Sequence, residues 1–109
     1  MSWIIYKHTN KINGKIYIGQ SKYSWKNIND RWQSGRGYHI KTRFGGAIKK
    51  YGWENFDHHL LEDNITSQNI ANEREIYWIR YFNSYYDGYN CTPVIKMIFK
   101  CFQRGFFQS

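Results

Sequence analysis

The sequence has a single proline, Pro93, and two cysteines, Cys91 and Cys101, in 109 residues. One late proline excludes a proline-rich linker, and no repeat or low-complexity stretch interrupts the chain. The two cysteines have no zinc-ligand partners at useful spacing. They read as reduced thiols rather than as a disulfide framework or a zinc finger. No apolar run approaches the roughly 20 residues of a membrane helix, so no membrane association is expected. Met1-Ser2-Trp3 lacks the basic start and apolar run of a signal peptide, which makes an intracellular, cytoplasmic protein the expectation. Acids are scarce and lopsided. Asp30 is the one acid in residues 1–50, against eleven Lys and Arg there.

The composition is 41% hydrophobic and 20% aromatic, enough for one folded domain with a modest core. The net charge is +8, concentrated in the first half, while residues 51–93 hold seven acids and two Arg. A basic half of this kind suits a polyanion. It would bind nucleic acid through phosphate contacts and counterion release. A basic protein with no such partner is the plainer alternative.

Lys15-Ile16-Tyr17-Ile18-Gly19-Gln20 alternates with period two. Ile16 and Ile18 point one way, Lys15 and Tyr17 the other. Trp3-Ile4-Ile5-Tyr6-Lys7-His8 reads as a second strand, joined to the first through a segment ending Asn13-Gly14, a hairpin signal. Any even-numbered loop places Tyr6 and Tyr17 on one face. A six-residue loop sets them directly opposite, and a two-residue loop offsets them by four. Asn29 or Asp30 is a candidate cap for a short helix, and Gly35-Arg36-Gly37 then turns the chain. Ile40, Phe44, Ala47, Ile48 and Tyr51 recur as one helix face, with Gly52 as its C-cap. Lys41, Arg43, Lys49 and Lys50 fall mostly outside that face. Phe56 to Glu62 is a short strand, with His58 and His59 read as surface and edge. Thr66 or Ser67 caps a helix running to about Phe82. Its apolar stripe is Ala71, Trp78 and Phe82, flanked by Ile70, Tyr77 and Tyr81. Glu75 falls on this stripe. An ionised acid there must pair with Arg, bind a metal or line a cleft, because unpaired burial costs several kcal/mol. The order strand, strand, helix, helix, strand, helix suggests an α/β or α+β fold with a small sheet.

These residues in this order resemble the GIY-YIG nuclease family, in its phage and homing-endonuclease branch. The resemblance is carried by Ile4-Ile5-Tyr6, Tyr17-Ile18-Gly19, Asp30-Arg31-Trp32, His39 thirteen residues before Gly52, the stretch Ala47 to Gly52 followed by Glu54-Asn55-Phe56, then Glu73-Arg74-Glu75 and Gly88-Tyr89-Asn90. It implies the GIY-YIG nuclease fold, a three-stranded antiparallel sheet flanked by helices. It implies hydrolysis of DNA phosphodiesters with one divalent metal, Mg²⁺ or Mn²⁺, and no small-molecule cofactor. Glu75 would hold the metal, Arg31 would clamp the phosphate, and Asn90 would hold the phosphate or the local loop. Tyr6 would act as general base and Tyr17 would position water or phosphate, with Lys15 or His39 beside them. Gly19 would leave room for the DNA backbone. Lys15, Arg36, Lys41, Arg43, Lys49 and Lys50 would contact double-stranded DNA.

The family glycine of the first motif is Ile4 here, read as a tolerated core substitution. Residues 1–93 are expected to form the nuclease domain. Residues 94–109 resemble nothing known and are expected to be a short tail, a remnant or the end of a free-standing catalytic module. A catalytically inactive basic nucleic-acid-binding module of the same fold is the rival expectation, and an RNA-directed protein is a third.

Overall fold

The computed structural model describes residues 2–90. The expectations on Cys91, Cys101, a boundary at residue 93 and a tail over 94–109 lie outside the described residues.

Strands β1 (Trp3–Asn10) and β2 (Ile16–Ser21) pair antiparallel, with Tyr6 opposite Gly19, His8 opposite Tyr17 and Thr9 opposite Ile16. The Asn10 N–H donates to the Lys15 carbonyl at 2.9 Å, so the loop is the four residues 11–14. Two side chains shape it. Asn10 Oδ1 accepts from the Ile12 N–H at 2.8 Å, and Asn13 Oδ1 accepts from the Lys15 N–H at 2.9 Å. Such Asx contacts mimic a backbone turn. Gly14, at φ +78°, occupies the left-handed position at the loop's end. The even loop keeps Tyr6 and Tyr17 on one face, offset by two residues, between the two arrangements the sequence allows.

Strand β3 (Phe56–Ile65) pairs antiparallel with the other side of β1, giving the order β2-β1-β3. It runs three residues beyond Glu62, the expected end. The central strand has both faces covered. On one face Ile5, Ile18 and Ile65 pack against Ala71 and Ile79 of helix α3 (Gln68–Phe82). On the other, Ile4 and Tyr6 meet Ile28 and Trp32 of helix α1 (Ile28–Trp32), and Phe44 and Ala47 of helix α2 (Arg43–Tyr51) pack beside them with Phe56 and Tyr89. Each fully buried side chain of this size contributes about 1.5–3 kcal/mol. Ile4 is 3% exposed in this layer, so the residue standing for the family glycine is a core residue.

Three helix expectations need correction. Helix α1 begins before Asn29 and Asp30, with Asn27 at its cap position, because Ile28 and Trp32 one turn apart are the pair that buries. Helix α2 starts at Arg43, where the Thr42 hydroxyl accepts from the Gly45 N–H at 3.0 Å. Ile40 therefore precedes the helix and is 53% exposed. In α3 the buried line is Ala71 and Ile79, with Trp78 and Phe82 packed against it, while Ile70, Tyr77 and Tyr81 are exposed. Ser67 caps this helix through the Ile70 N–H at 3.2 Å. Gly52 ends α2 as expected, at φ +89° with its N–H on the Ile48 carbonyl at 2.8 Å.

Candidate active site

Tyr6 belongs to the central strand, yet it reaches the cleft beside β2. Its path crosses Gly19. A Cβ there would lie 2.6 Å from the Tyr6 phenol Cζ and Oη. The glycine of the second motif thus makes room for Tyr6, not for a DNA backbone beside Tyr17. The Tyr6 ring also meets Trp32 edge-on at 5.2 Å, and its hydroxyl lies 3.2 Å from the Tyr38 hydroxyl. Burial pushes the Tyr6 phenol up. The Tyr38 hydrogen bond and the nearby Arg31 charge work against that rise.

Tyr17 is half-buried. It stacks on Phe44 with ring centroids 4.6 Å apart and meets Tyr38 edge-on at 5.4 Å. The tyrosine face of the sheet is therefore an aromatic layer under α1 and α2. Tyr38 follows the Gly35-Arg36-Gly37 turn and stands among Tyr6, Tyr17 and His8. Burial pushes its phenol far up as well.

Glu75 lies between Ala71 and Ile79, one turn from each, and turns its carboxylate into the same cleft. Gln20, on the opposite face of β2 from Tyr17, donates through Nε2 to Glu75 Oε1 at 2.7 Å and to Asn72 Oδ1 at 2.8 Å. Burial raises the Glu75 pKa, and the Gln20 hydrogen bond partly offsets the rise. Of the three fates open to an acid on this stripe, pairing with an Arg is not the one seen among the described residues. Arg74 instead pairs with Glu62 at 2.7 Å. Gln20 Oε1 is buried with no hydrogen-bond partner among the described residues. A carboxylate beside an amide oxygen left over is a hard-oxygen donor set. Among the described residues no three His, Cys, Asp or Glu side chains gather as a metal cluster.

Asn90 is buried and fully engaged. Its Oδ1 accepts from the Ile18 N–H at 2.9 Å and from Ser84 Oγ at 2.6 Å, and its Nδ2 donates to the Ile18 carbonyl at 2.9 Å. The Tyr89 N–H donates to the Ile16 carbonyl at 2.9 Å. Together these groups close the outer edge of β2 as a neighbouring strand would. Arg31 of α1 and His39 are exposed and line the cleft.

The cleft holds about 400 Å³ and is lined by Tyr6, Tyr17, Arg31, His39, Glu75 and Asn90, the six residues read from the sequence as catalytic candidates. Gln20 and Tyr38 line it too and were not singled out in the sequence. Lys15, Arg36, Lys41, Arg43, Lys49 and Lys50 are all exposed. Arg43 donates to the Tyr85 carbonyl, and its guanidinium lies 5.0 Å from the Tyr85 ring centre. His58 is not a plain surface residue: it is half-buried, with Nδ1 2.8 Å from His8 Nδ1, because the β1–β3 register sets the two opposite each other. His59 is exposed, as expected. Among the described residues no helix is long and apolar enough to cross a membrane.

An antiparallel sheet of order β2-β1-β3 flanked by helices, with a tyrosine from each strand of its hairpin and a glutamate from the last helix on one cleft, is the GIY-YIG nuclease fold. The chain's fold is similar to that of the catalytic domain of the homing endonuclease I-TevI. The likeness to an E75A mutant of that domain has a TM-score of 0.65 at 28% identity, over 84% of this chain and 95% of that one. A second structure of the domain gives 0.64 at 29% identity, over 82% and 97%. In sequence the chain is similar to intron-associated endonuclease 1 of Enterobacteria phage T4, 30% identical over 91 residues, covering 79% of this chain and 35% of that protein. It is also similar to the putative endonuclease segB of the same phage, 36% identical over 89 residues, covering 71% and 37%. The chain spans about a third of the length of these curated relatives. No family model matches the sequence.

Proposed function

We propose that this domain, residues 1–93, is a divalent-metal-dependent endonuclease that hydrolyses phosphodiester bonds of double-stranded DNA. The observation that carries the reading is convergence. Six side chains spread from Tyr6 to Asn90 meet on one cleft. The likeness to the I-TevI catalytic domain and to phage T4 endonucleases supports the same reading.

Phosphodiester hydrolysis needs an activated water, positive charge on the phosphate and help for the leaving oxygen. Glu75 is suited to hold Mg²⁺ or Mn²⁺ as its single carboxylate ligand, with Gln20 Oε1 beside it, since Mg²⁺ keeps most of its waters. The cation would supply charge neutralisation at the phosphate. Arg31 supplies a planar fork for a non-bridging phosphate oxygen, and its exposure leaves it open to substrate. Tyr6 accepts the proton of the attacking water, and half-buried Tyr17 positions water or phosphate at the cleft mouth. His39 is placed to exchange protons with solvent. Asn90 keeps β2, and so Tyr17, in place. Lys15, Arg36, Lys41, Lys49 and Lys50 bind flanking phosphates, and Arg43 does so while tethered to Tyr85.

Incubation with supercoiled plasmid tests the reading. Nicked or linear product with Mg²⁺ and none with EDTA is the expected outcome. Salt-dependent DNA binding without cleavage under Mg²⁺ or Mn²⁺ contradicts it and identifies an inactive binding module.

A further inference from the structure

Four polar side chains form one hydrogen-bonded line across the sheet. Tyr6 Oη lies 3.2 Å from Tyr38 Oη. Tyr38 Oη lies 2.9 Å from His8 Nε2. His8 Nδ1 lies 2.8 Å from His58 Nδ1. The sheet register builds this line. His8 sits two residues beyond Tyr6 on the same face of β1 and directly opposite His58 on β3. Tyr6 and Tyr38 line the cleft beside β2, whereas His58 is half-buried on β3, the opposite edge strand. The middle is dry. His8 is fully buried, with Trp32, Phe44 and Trp53 rings at 4.5, 5.1 and 5.2 Å.

Every member of the line can both donate and accept. A neutral imidazole has one N–H and one bare nitrogen, and a phenol has an O–H and lone pairs. If His8 Nε2 accepts from Tyr38, its Nδ1–H donates to His58. Reversing every bond is equally permitted. No buried member is suited to store charge: burial pushes both phenols up and His8 well down. Tyr6 can therefore act as a base only while its own proton moves on.

We propose that Tyr6, Tyr38, His8 and His58 form a proton relay that carries the proton of the attacking water from the cleft to solvent beside β3. The inference rests on the nuclease reading above. In the step, a water O–H bond breaks and its proton goes to Tyr6 Oη. Tyr6 gives its own proton to Tyr38, Tyr38 gives its own to His8 Nε2, and the His8 Nδ1 proton passes to His58 Nδ1. The water oxygen bonds to phosphorus. The bond from phosphorus to the leaving oxygen breaks with its electron pair on that oxygen, which takes a proton from solvent. His58 becomes an imidazolium and releases its charge to solvent. Tyr38, His8 and His58 act through Tyr6, as positioning residues.

The charged and titratable groups around His58 are Asp57 and His59 on its own strand, Lys11 in the hairpin loop and His8 on β1; Trp32 and Trp53, which flank its ring, are uncharged. Asp57 favours the cation, while burial, His59 and Lys11 oppose it. Two conservative variants break the line, Tyr38→Phe in its middle and His58→Gln at its outlet. The latter position is half-buried, and the thermal midpoint of each variant is recorded beside its rate, so that loss of fold is told apart from loss of the relay.

The test is single-turnover plasmid nicking with Mg²⁺ from roughly pH 5 to 9, a range spanning histidine titration. Duplex affinity is measured alongside. Wild type is expected to lose rate on the acid side, as His58 fills with a proton. Both variants should cut about 10- to 100-fold more slowly at neutral pH, the scale of a general-base contribution, with duplex affinity unchanged. His58→Gln should also lose the acid limb. Added imidazole should restore rate to His58→Gly and not to Tyr38→Phe. Near wild-type rates in both variants overturn the relay. So does a slow His58→Gln that keeps the wild-type pH profile with no imidazole rescue of His58→Gly, since the pair is then structural. A wild-type protein that cuts no DNA overturns the nuclease reading itself, a result distinct from either.

Discussion

Gly19 and Tyr6 are a fitted pair: the glycine's missing side chain is the space the phenol occupies, and a Cβ there would lie 2.6 Å from the Tyr6 hydroxyl. The ring cannot simply swing away, because it packs on Trp32 and bonds Tyr38. Gly19→Ala should destabilise the domain by about 1–3 kcal/mol, the usual cost of overpacking. It should lower cleavage by more than that destabilisation explains, because the displaced hydroxyl leaves the cleft. Chemical denaturation and cleavage rates on the same preparation check both parts.

Asn90 gives a second prediction. Its amide satisfies the N–H and C=O of Ile18 and the Ser84 hydroxyl inside the protein. Asn90→Ala leaves these groups unpaired, at about 1–3 kcal/mol for each one that water cannot reach. Asn90→Asp keeps the two accepting contacts but sets a carboxylate against the Ile18 carbonyl. Both variants should unfold at lower denaturant concentration than wild type. Hydrogen exchange should be fastest to rise along β2, and unchanged exchange there would contradict the edge-closing role.

The Glu75 carboxyl is raised by burial, so the folded protein holds that proton to higher pH than the unfolded chain does. Between the two pKa values the native state binds more protons, and stability falls as pH rises through that window. Glu75→Gln removes the penalty. Its thermal midpoint at pH 7 should exceed that of wild type, and the difference should vanish below about pH 4, where the unfolded carboxyl is protonated as well. Added Mg²⁺ should raise the wild-type midpoint and leave Glu75→Gln unmoved. Thermal scans with and without the ion at both pH values check this.

Arg31 is exposed in the cleft, and its expected work is on the phosphate. Arg31→Ala should slow single-turnover cleavage by about 10²-fold or more, as when one transition-state donor is removed. Affinity for duplex DNA should change far less. Arg31→Lys should recover little, since an ammonium cannot offer a planar fork. A lysine variant at wild-type rate would reduce Arg31 to a general cation.

The hairpin is legible because side-chain direction alternates with period two, so any even loop sends Tyr6 and Tyr17 to one face. The two-residue offset is not legible. It depends on Asn10 and Asn13 capturing backbone N–H groups, a choice the sequence leaves open. Glu75 is legible as an acid one turn from Ala71, whereas Ile79, which completes the buried line, is hidden among aromatic neighbours that turn out to flank it. Helix α2 loses Ile40 because the Thr42 cap outweighs the apolar period. Tyr38 lies in a stretch with no period, bent by three successive positive-φ residues, Gln33, Ser34 and Gly35, so nothing local reveals that it faces the tyrosines. His8 carries a readable signal, two residues from Tyr6 on one face. His58 does not, since only the β1–β3 register brings it there.

The most direct measurement compares wild type and Glu75→Ala on one plasmid substrate with Mg²⁺, with DNA binding recorded in the same buffer. The account predicts that wild type nicks or cuts and that EDTA stops it. It predicts that Glu75→Ala binds DNA as tightly as wild type and leaves the plasmid supercoiled. Cleavage by Glu75→Ala at the wild-type rate would contradict it.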